Sequence, residues 1–269
     1  MQTKVKTTQE TADGEGGLVI ERRFTSAGKD PFDSFEWMEM DVEIRNPDGS
    51  IADSIEGVQL PVGFSGVPGK VCAQKYLRKA GVPKHLRNVP EEGVPVWLQR
   101  SEPDHERLQK VDADERMGGE TDGRQLFRRL AGTWTYWGWK YGYFASEADA
   151  RAYFDEMCYL IASQRSAPNS PQWFNTGLHW AYGIEGPAQG HSYVDPSTGQ
   201  LAYSTNAYEH PQPHACFIQS VSDSLVGDSN SIMGLWNREA LLFKYGSGTG
   251  SNFSNIRGAG EPLSGGGTS

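Results

Sequence analysis

The sequence predicts an α/β fold, in which a mixed α+β N-terminal region precedes an α/β layer or barrel that begins near residue 166. Three observations support this prediction. Residues 35–50 alternate apolar and polar side chains and end in a turn, and residues 146–162 repeat apolar side chains with a helical period. After residue 166, short apolar runs bounded by proline are joined by a helical stretch at residues 230–245. Short strands with helical crossovers are typical of α/β layers and barrels.

The composition is that of a globular protein, because 37% of the 269 residues are hydrophobic and 22% are charged. The 25 basic and 34 acidic residues give a net charge of −9, which argues against nucleic acid and against an anionic membrane surface as partners. No apolar run approaches the roughly 20 residues that span a bilayer, and the polar N-terminus lacks a secretory signal. The sequence therefore predicts a cytoplasmic protein.

The N-terminal part is predicted to contain a disordered arm at residues 1–16 and a strand and helix region at residues 17–122. Within the latter, "GLVIERRFT" and "FEWMEMDVEIRNPDGS" are predicted strands, the second closed by a turn at Asn46–Gly49. Residues 69–80 have a helical period that places Cys72 on a packing face, and Gly81 is the predicted stop. Residues 82–122 are rich in Pro, Glu, Asp and Gly, which predicts a surface loop or linker.

Residues 123–165 are predicted to form an aromatic-rich helical region. The run "WTYWGWKYGYF" is consistent with a packed core or interface, and also with a platform that stacks bases or sugars. Ser146 begins a capping-box pattern, and the helix that follows carries an apolar stripe that includes Cys158. Cys158 is therefore predicted to be structural.

Residues 166–269 are predicted to start the α/β layer. "NSPQWFNTGLHWAYG" and "HPQPHACFIQSV" are expected to be buried strands, and the helix at residues 230–245 is expected to end at Gly246. The last 24 residues are rich in glycine, with no apolar element after them to offset their ordering entropy. This pattern suggests a truncated or split protein.

Cys216 is a candidate functional residue, since it lies in a strand-like run rather than on a helical stripe. The residues alone leave two interpretations open, an inert buried thiol or a thiol at the ligand-binding end of an α/β sheet. The following "GSGTGSNFSNIRGAG" fits neither the dinucleotide nor the P-loop pattern. It remains either a flexible loop or a phosphate-binding run in which Arg257 is the cation.

No metal site is predicted. The histidines between residues 179 and 214 follow no common metal-binding spacing, and the three cysteines form no CxxC pair. Surface or core positions are the favoured interpretation for these histidines.

Several long segments, taken in order, resemble one family. "APNSPQWFNTG", "PQPHACFIQSVSDS" and "LFKYGSGTGSNFSNIRGAGEPLSGGGTS" are similar to the catalytic chain of ribonucleotide reductases. "LAGTWTYWGWKYGYF" and "GLHWAYGIEGPAQGHSYVDPSTG" point to the adenosylcobalamin-dependent (class II) type. The resemblance extends from about residue 57 to the last residue and is densest after residue 123.

The resemblance implies the first elements of a ten-stranded α/β barrel, incomplete in this chain, and an enzyme that reduces ribonucleotides by thiyl-radical chemistry. Cys216 matches one thiol of the redox pair that becomes a disulfide. Ser170, Ala215 and Gly248 match positions that contact the substrate, the last two through the main chain. The implied enzyme class is ribonucleoside-diphosphate reductase.

The resemblance also implies a regulatory site for a deoxynucleoside triphosphate effector. Asp223, Ser224 and Leu225 match the start of this site, and Arg257 matches its cation. Ser264 stands where some relatives have a second Arg, so that contact is not expected here.

The expected cofactor is adenosylcobalamin, bound by the complete enzyme. The expected partners are a ribonucleotide substrate, a thioredoxin-like dithiol reductant, the downstream C-terminal part of the reductase, and a second copy in a homodimer. Because the radical cysteine is expected downstream, the chain alone should not turn over substrate. Two alternatives stay open, an iron-dependent (class I) reductase large chain and a non-catalytic module that binds nucleotides or sugars through the aromatic cluster and glycine loop.

Overall fold

The computed structural model describes residues 16–188, 190–195, 198–244 and 247–269. The chain divides into two compact units, one up to Gln212 and one from Pro213 to Ser269. Apart from Gly16, the predicted disordered arm lies outside the described residues, as does Gly246. Within the described ranges, no helix is long and apolar enough to cross a membrane.

The first unit contains both helices and short strands. They run in the order β1 (Trp37–Arg45), β2 (Ile51–Pro61), α1 (Val67–Val71), β3 (Val82–Pro83), β4 (Leu86–Asn88), β5 (Ser101–Pro103), α2 (His105–Leu108), β6 (Met117–Gly118), α3 (Gly123–Lys140), α4 (Glu147–Ala162), α5 (Ser170–Asn175), α6 (Leu178–Tyr182), β7 (Ser192–Val194) and β8 (Leu201–Tyr203). The strands pair antiparallel as β1 with β2, β3 with β6, β4 with β5, and β7 with β8.

The predicted strand and turn at residues 35–50 are confirmed. β1 and β2 form a hairpin, and the Gly49 N–H donates to the Asn46 carbonyl at 2.9 Å across the turn. Gly49 has a φ of +87°, a conformation that glycine adopts without steric cost. Val42 and Leu60 point inward and are almost fully buried.

The core of the first unit lies between the hairpin, α3 and α4. Phe127 and Leu130 of α3 and Cys158 and Ile161 of α4 are at most 1% exposed and belong to one apolar cluster. The predicted cap of α4 is confirmed, because the Ser146 hydroxyl accepts a hydrogen bond from the Asp149 N–H at 3.2 Å. Cys158 is structural, as predicted.

Several local predictions for the N-terminal region are wrong. "GLVIERRFT" is no strand, since it makes only an isolated bridge from Leu18 to Phe144. The helix predicted for residues 69–80 continues from α1 as a π-helical turn and ends at Tyr76, well before Gly81, because Leu77 is already extended. Residues 82–122 are no linker: their short strands fold back, and residues such as Leu98 and Leu108 are buried.

The "NSPQWFNTGLHWAYG" segment forms the helices α5 and α6, where strands were predicted. Asn169 caps α5 by accepting a hydrogen bond from the Gln172 N–H, and Pro171 lies in the first turn, where a missing N–H costs nothing. Gly177, with a φ of +86°, separates α5 from α6. Local capping therefore overrides the strand-like apolar pattern.

A buried ion pair connects α3 to α5 and α6. The Arg129 Nε donates to Glu120 Oε1 at 2.7 Å, and both side chains are fully buried. The same guanidinium donates to the carbonyls of Thr176 at 2.6 Å and Trp173 at 2.9 Å. The Tyr182 hydroxyl also donates to Glu120 Oε1, at 2.8 Å.

The second unit is a β-α-β arrangement. It contains β9 (Cys216–Ser220), α7 (Ile232–Lys244) and β10 (Gly248–Asn252), with β9 and β10 paired in parallel. The strand and the helix predicted here are confirmed, but β9 is not buried, since Ile218 is 82% exposed. The described residues form no closed barrel. The mixed helix and strand fold is as expected, and the ten-stranded barrel stays a prediction.

Candidate functional site

Cys216 differs from the other two cysteines in its exposure. It is the first residue of β9 and is exposed, whereas Cys72 and Cys158 are buried. Burial, together with the nearby Glu120 carboxylate, raises the pKa of the Cys72 thiol to about 12. Burial also raises the pKa of the Cys158 thiol well above its usual range. Of the three thiols, Cys216 is therefore the one available to a reactant.

Gly248 lies beside Cys216 in the neighbouring strand. The two residues are direct partners in the β9–β10 ladder, and the Gly248 N–H donates to the Ala215 carbonyl at 2.6 Å. A β-carbon at Gly248 would lie 3.5 Å from the Cys216 Sγ and 3.3 Å from the Ala215 oxygen. The absence of a side chain at Gly248 therefore leaves space beside the sulfur.

The β9–β10 sheet has one open face. Because side chains alternate along a strand, Cys216 and Ile218 share a face with their partners Gly248 and Gly250. Cys216 and Ile218 are exposed, and the two glycines present no side chain. The thiol thus lies next to main-chain atoms of β10 that no side chain of Gly248 or Gly250 covers.

Helix α7 is attached to the opposite face by polar side chains. The Glu239 carboxylate accepts from Ser251 Oγ and Thr249 Oγ1, both at 2.8 Å, and these two bonds lower its pKa. Arg238 donates to the Gln219 side chain at 2.7 Å and to the Ser220 carbonyl at 3.0 Å. Sequence reasoning missed this pair. The available signal was an adjacent Arg and Glu in a mostly apolar helix.

The residues predicted for the effector site are brought together. Arg257 Nε and Asp223 Oδ2 form an ion pair at 2.5 Å, and both side chains are about 30% exposed. The carbonyls of Ser224 and Leu225 accept from the Ile232 and Met233 N–H groups at 2.9 and 3.1 Å. The segment after β9 is thereby held against the start of α7.

Ser170 lies in the first unit, whereas the other predicted site residues lie in the second. It is the first residue of α5 and is exposed. Its helix is held at its other end by Arg129, through the Trp173 and Thr176 carbonyls.

No metal cluster is found in the part of the chain that the structure describes. Among the residues of that part, no group of three or more His, Cys, Asp or Glu side chains could hold a metal ion. Four cavities in the first unit measure about 290, 550, 620 and 630 Å³, a size that suits drug-sized ligands, and none of these four could enclose a cobalamin. No catalytic step through cobalamin is therefore assigned to these residues.

Comparison with known proteins gives consistent matches. A family model described as class II vitamin B12-dependent ribonucleotide reductase matches residues 38–164, and a model of the ribonucleotide reductase barrel domain matches residues 214–269. The chain is 61% identical to a vitamin B12-dependent ribonucleotide reductase of Agrobacterium fabrum and 59% identical to one of Bradyrhizobium diazoefficiens, each over 252 residues. A relative from Rhodopirellula baltica is 34% identical over 253 residues.

Each of these alignments covers 94% of this chain and 20 or 21% of the relative. The chain therefore spans about a fifth of the length of the curated relatives it matches. The two family models together cover well over half of its residues. The chain belongs to the class II, vitamin B12-dependent ribonucleotide reductase family.

Proposed function

We propose that this chain supplies one redox thiol and part of the effector site of an enzyme that converts ribonucleotides to deoxyribonucleotides by thiyl-radical chemistry. The observation that carries the proposal is the exposed Cys216 sulfur beside Gly248 on the open face of the sheet. In α/β barrels the helices form the outer ring. The face opposite α7 therefore corresponds to the barrel interior, where a substrate would bind.

The reduction needs a second thiol, which we expect outside this chain. The two thiols together give two electrons and two protons to the substrate. The bond between C2′ and its hydroxyl oxygen breaks, the oxygen leaves as water, a hydrogen replaces it, and the two sulfurs join as a disulfide. A thioredoxin-like dithiol then restores both thiols by disulfide exchange.

The substrate is proposed to contact the main chain at Ala215 and Gly248 and the side chain of Ser170. Gly248 has no side chain to keep a ribose from the backbone, which supports this role. The Ser170 hydroxyl is exposed at the start of α5 and can donate or accept a hydrogen bond.

The effector is proposed to be a deoxynucleoside triphosphate bound by Asp223, Ser224, Leu225 and Arg257. Arg257 already carries one carboxylate partner, so a triphosphate would compete with Asp223 for the guanidinium. The glycines of residues 258–267 allow the loop to change conformation with the bound base.

The remaining partners belong to the complete enzyme. We propose that the complete enzyme binds adenosylcobalamin with the help of residues outside this chain, acts in the cytoplasm and forms a homodimer. We also propose that this chain alone is inactive. The identity to B12-dependent relatives favours the cobalamin-dependent enzyme over the iron-dependent alternative.

The test uses the complete reductase that contains this chain. Cys216→Ser is expected to lower dithiol-coupled turnover by at least about 100-fold while effector binding is retained. Cys72→Ala is the control, because Cys72 is buried in the core and should affect stability rather than chemistry. Turnover that survives Cys216→Ser would reject the redox role and favour the non-catalytic binding module.

A further inference from the structure

The chain that follows β9 leaves the strand and comes back to it before α7 begins. Ser222 lies at the start of this loop and Asn230 at its end. The Asn230 carbonyl accepts from the Ser222 N–H at 2.8 Å and from the Ser222 hydroxyl at 3.2 Å, so the two ends are held together. The loop includes Asp223, Ser224 and Leu225, the residues assigned to the effector. Residues 222–230 are called the effector segment below.

One side chain of α7 connects β9 with the far end of the effector segment. The Arg238 Nε donates to Gln219 Oε1 at 2.7 Å, and its Nη2 donates to the Ser220 carbonyl at 3.0 Å. These are the last two residues of β9. The Nη1 of the same guanidinium donates to Asn230 Oδ1 at 3.4 Å. A rigid, planar group thus bridges the point where the chain leaves β9 and the point where it returns.

The bond between Arg238 and Gln219 satisfies only half of the Gln219 amide. The Gln219 Nε2 is buried and has no hydrogen-bond partner among the residues that the structure describes. A buried donor without an acceptor is unfavourable. A displacement of Arg238 would let the amide rotate and satisfy this donor, which offsets the loss of the present bond. A small shift of the effector segment can therefore rearrange this contact.

The other end of β9 carries the thiol. Cys216 is the first residue of the strand, and all five residues of β9 are paired with β10, from Cys216 with Gly248 to Ser220 with Asn252. Strands paired in this way transmit a displacement as rigid elements. A shift at the Ser220 end therefore changes the position of the sulfur.

From these contacts we infer that Arg238 is a positioning residue that couples effector binding to the Cys216 site. A triphosphate that draws Arg257 away from Asp223 shifts the effector segment, and the Arg238 guanidinium passes this shift to β9. The inference rests on the proposed function, from which it takes the roles of the effector and of the thiol. None of the three groups that accept from Arg238 is assigned to either ligand, so Arg238 acts through other residues.

The test measures the coupling between effector and ribonucleotide in the complete reductase that contains this chain. Calorimetry gives the dissociation constant of each of the four deoxynucleoside triphosphates with and without a saturating ribonucleoside diphosphate, and adenosylcobalamin is omitted to prevent turnover. The ratio of the two constants is the coupling factor. In the parent enzyme at least one effector should give a factor of about 5 or more. Arg238→Met keeps an apolar stem without the guanidinium and should lower this factor to about 1, the value for independent sites.

Glu239→Met is the matched control. Glu239 is the next residue of α7, and the two hydrogen bonds that its carboxylate accepts come from Thr249 and Ser251 of β10, not from the effector segment. This variant removes a comparable attachment of the helix to the sheet and should keep the coupling factor of the parent. A merely structural effect would weaken both ligands in either variant without changing the coupling factor.

A coupling factor in Arg238→Met equal to that of the parent would overturn the inference, and so would an equal loss of coupling in Glu239→Met. If Arg238→Met lost more than about tenfold in effector affinity without ribonucleotide, Arg238 would belong to the effector site itself, which also overturns the inference.

A thermal melt shows whether each variant is folded. Should Arg238→Met not fold, Arg238→Lys replaces it, because one ammonium cannot reach all three acceptors, and the same loss of coupling is expected. Coupling that survives in Arg238→Lys would then refute the inference. A parent enzyme without any coupling would refute the proposed effector site itself, and this result is distinct because it needs no variant.

Discussion

The buried pair between Glu120 and Arg129 gives the sharpest stability prediction. Glu120→Gln keeps the size of the side chain and its ability to accept from the Tyr182 hydroxyl, but it removes the negative charge. Arg129 is then a fully buried cation whose remaining partners are neutral groups, such as the carbonyls of Trp173 and Thr176. The substitution therefore removes the charge, and with it the hydrogen bond that Glu120 Oε2 accepts from the Arg78 N–H at 2.7 Å, while the packing is nearly unchanged.

The expected loss follows from the burial of both side chains. Removing one partner of a buried ion pair typically costs about 3–5 kcal/mol, because the other charge remains desolvated. The pair between Lys84 and Glu115 provides the comparison, since its side chains are 47% and 60% exposed. Glu115→Gln should cost far less, because water already solvates both charges of this exposed pair.

Urea unfolding measures both variants against the parent chain. Tryptophan fluorescence reports mainly on the first unit, because all tryptophans except Trp236 belong to it. Urea is preferred to a guanidinium salt, since salt screens charges. A Glu120→Gln variant that loses no more free energy of unfolding than Glu115→Gln would refute the reasoning.

Two further predictions concern single groups. Iodoacetamide at pH 8 should modify Cys216 in the native chain at least about tenfold faster than Cys72 or Cys158, because burial shields these two thiols and raises their pKa values. Mass spectrometry measures the three rates, and comparable rates would contradict the prediction. For Glu156, burial raises the pKa, but hydrogen bonds from the Thr25 side chain and from backbone N–H groups outweigh it and lower the pKa below its usual 4.5. The stabilisation from Glu156 should therefore be present above about pH 4.5 and disappear as the pH falls through the folded-state value. Urea unfolding of the parent chain and Glu156→Gln at pH 7 and pH 3.5 tests this, and a gap between them that does not shrink at pH 3.5 would contradict it.

Sequence reasoning succeeded where a local signal and the tertiary environment agree. The alternation in β1 and the cap at Ser146 both predicted elements that the structure contains. The burial of Cys72 and Cys158 followed from helical periodicity alone. These signals require only near neighbours in the chain.

Sequence reasoning failed where two local signals compete, or where the contacting residues are far apart in the sequence. The apolar run at residues 170–182 has strand-like composition, but capping by Asn169 and the left-handed Gly177 make it helical. The bonds of the Arg129 and Glu120 network join residues up to 62 positions apart, so no local pattern reveals it. Asp223 and Arg257, 34 residues apart, were assigned to one site only through the family resemblance, which did not predict their ion pair.

The glycine-rich tail shows how a functional requirement can hide a strand. The glycine-rich run predicts either a flexible loop or a phosphate-binding loop, whereas its "GTGSN" segment forms β10 although glycine is a poor strand former. In β10 the residues alternate, so that Thr249 and Ser251 bond the Glu239 carboxylate while Gly248 and Gly250 lie on the face of Cys216. Side chains on that face would crowd the sulfur and the neighbouring carbonyl. The glycines at positions 248 and 250 therefore explain both the weak β-propensity of this strand and the accessibility of the Cys216 thiol. They link the composition of the tail to the proposed chemistry.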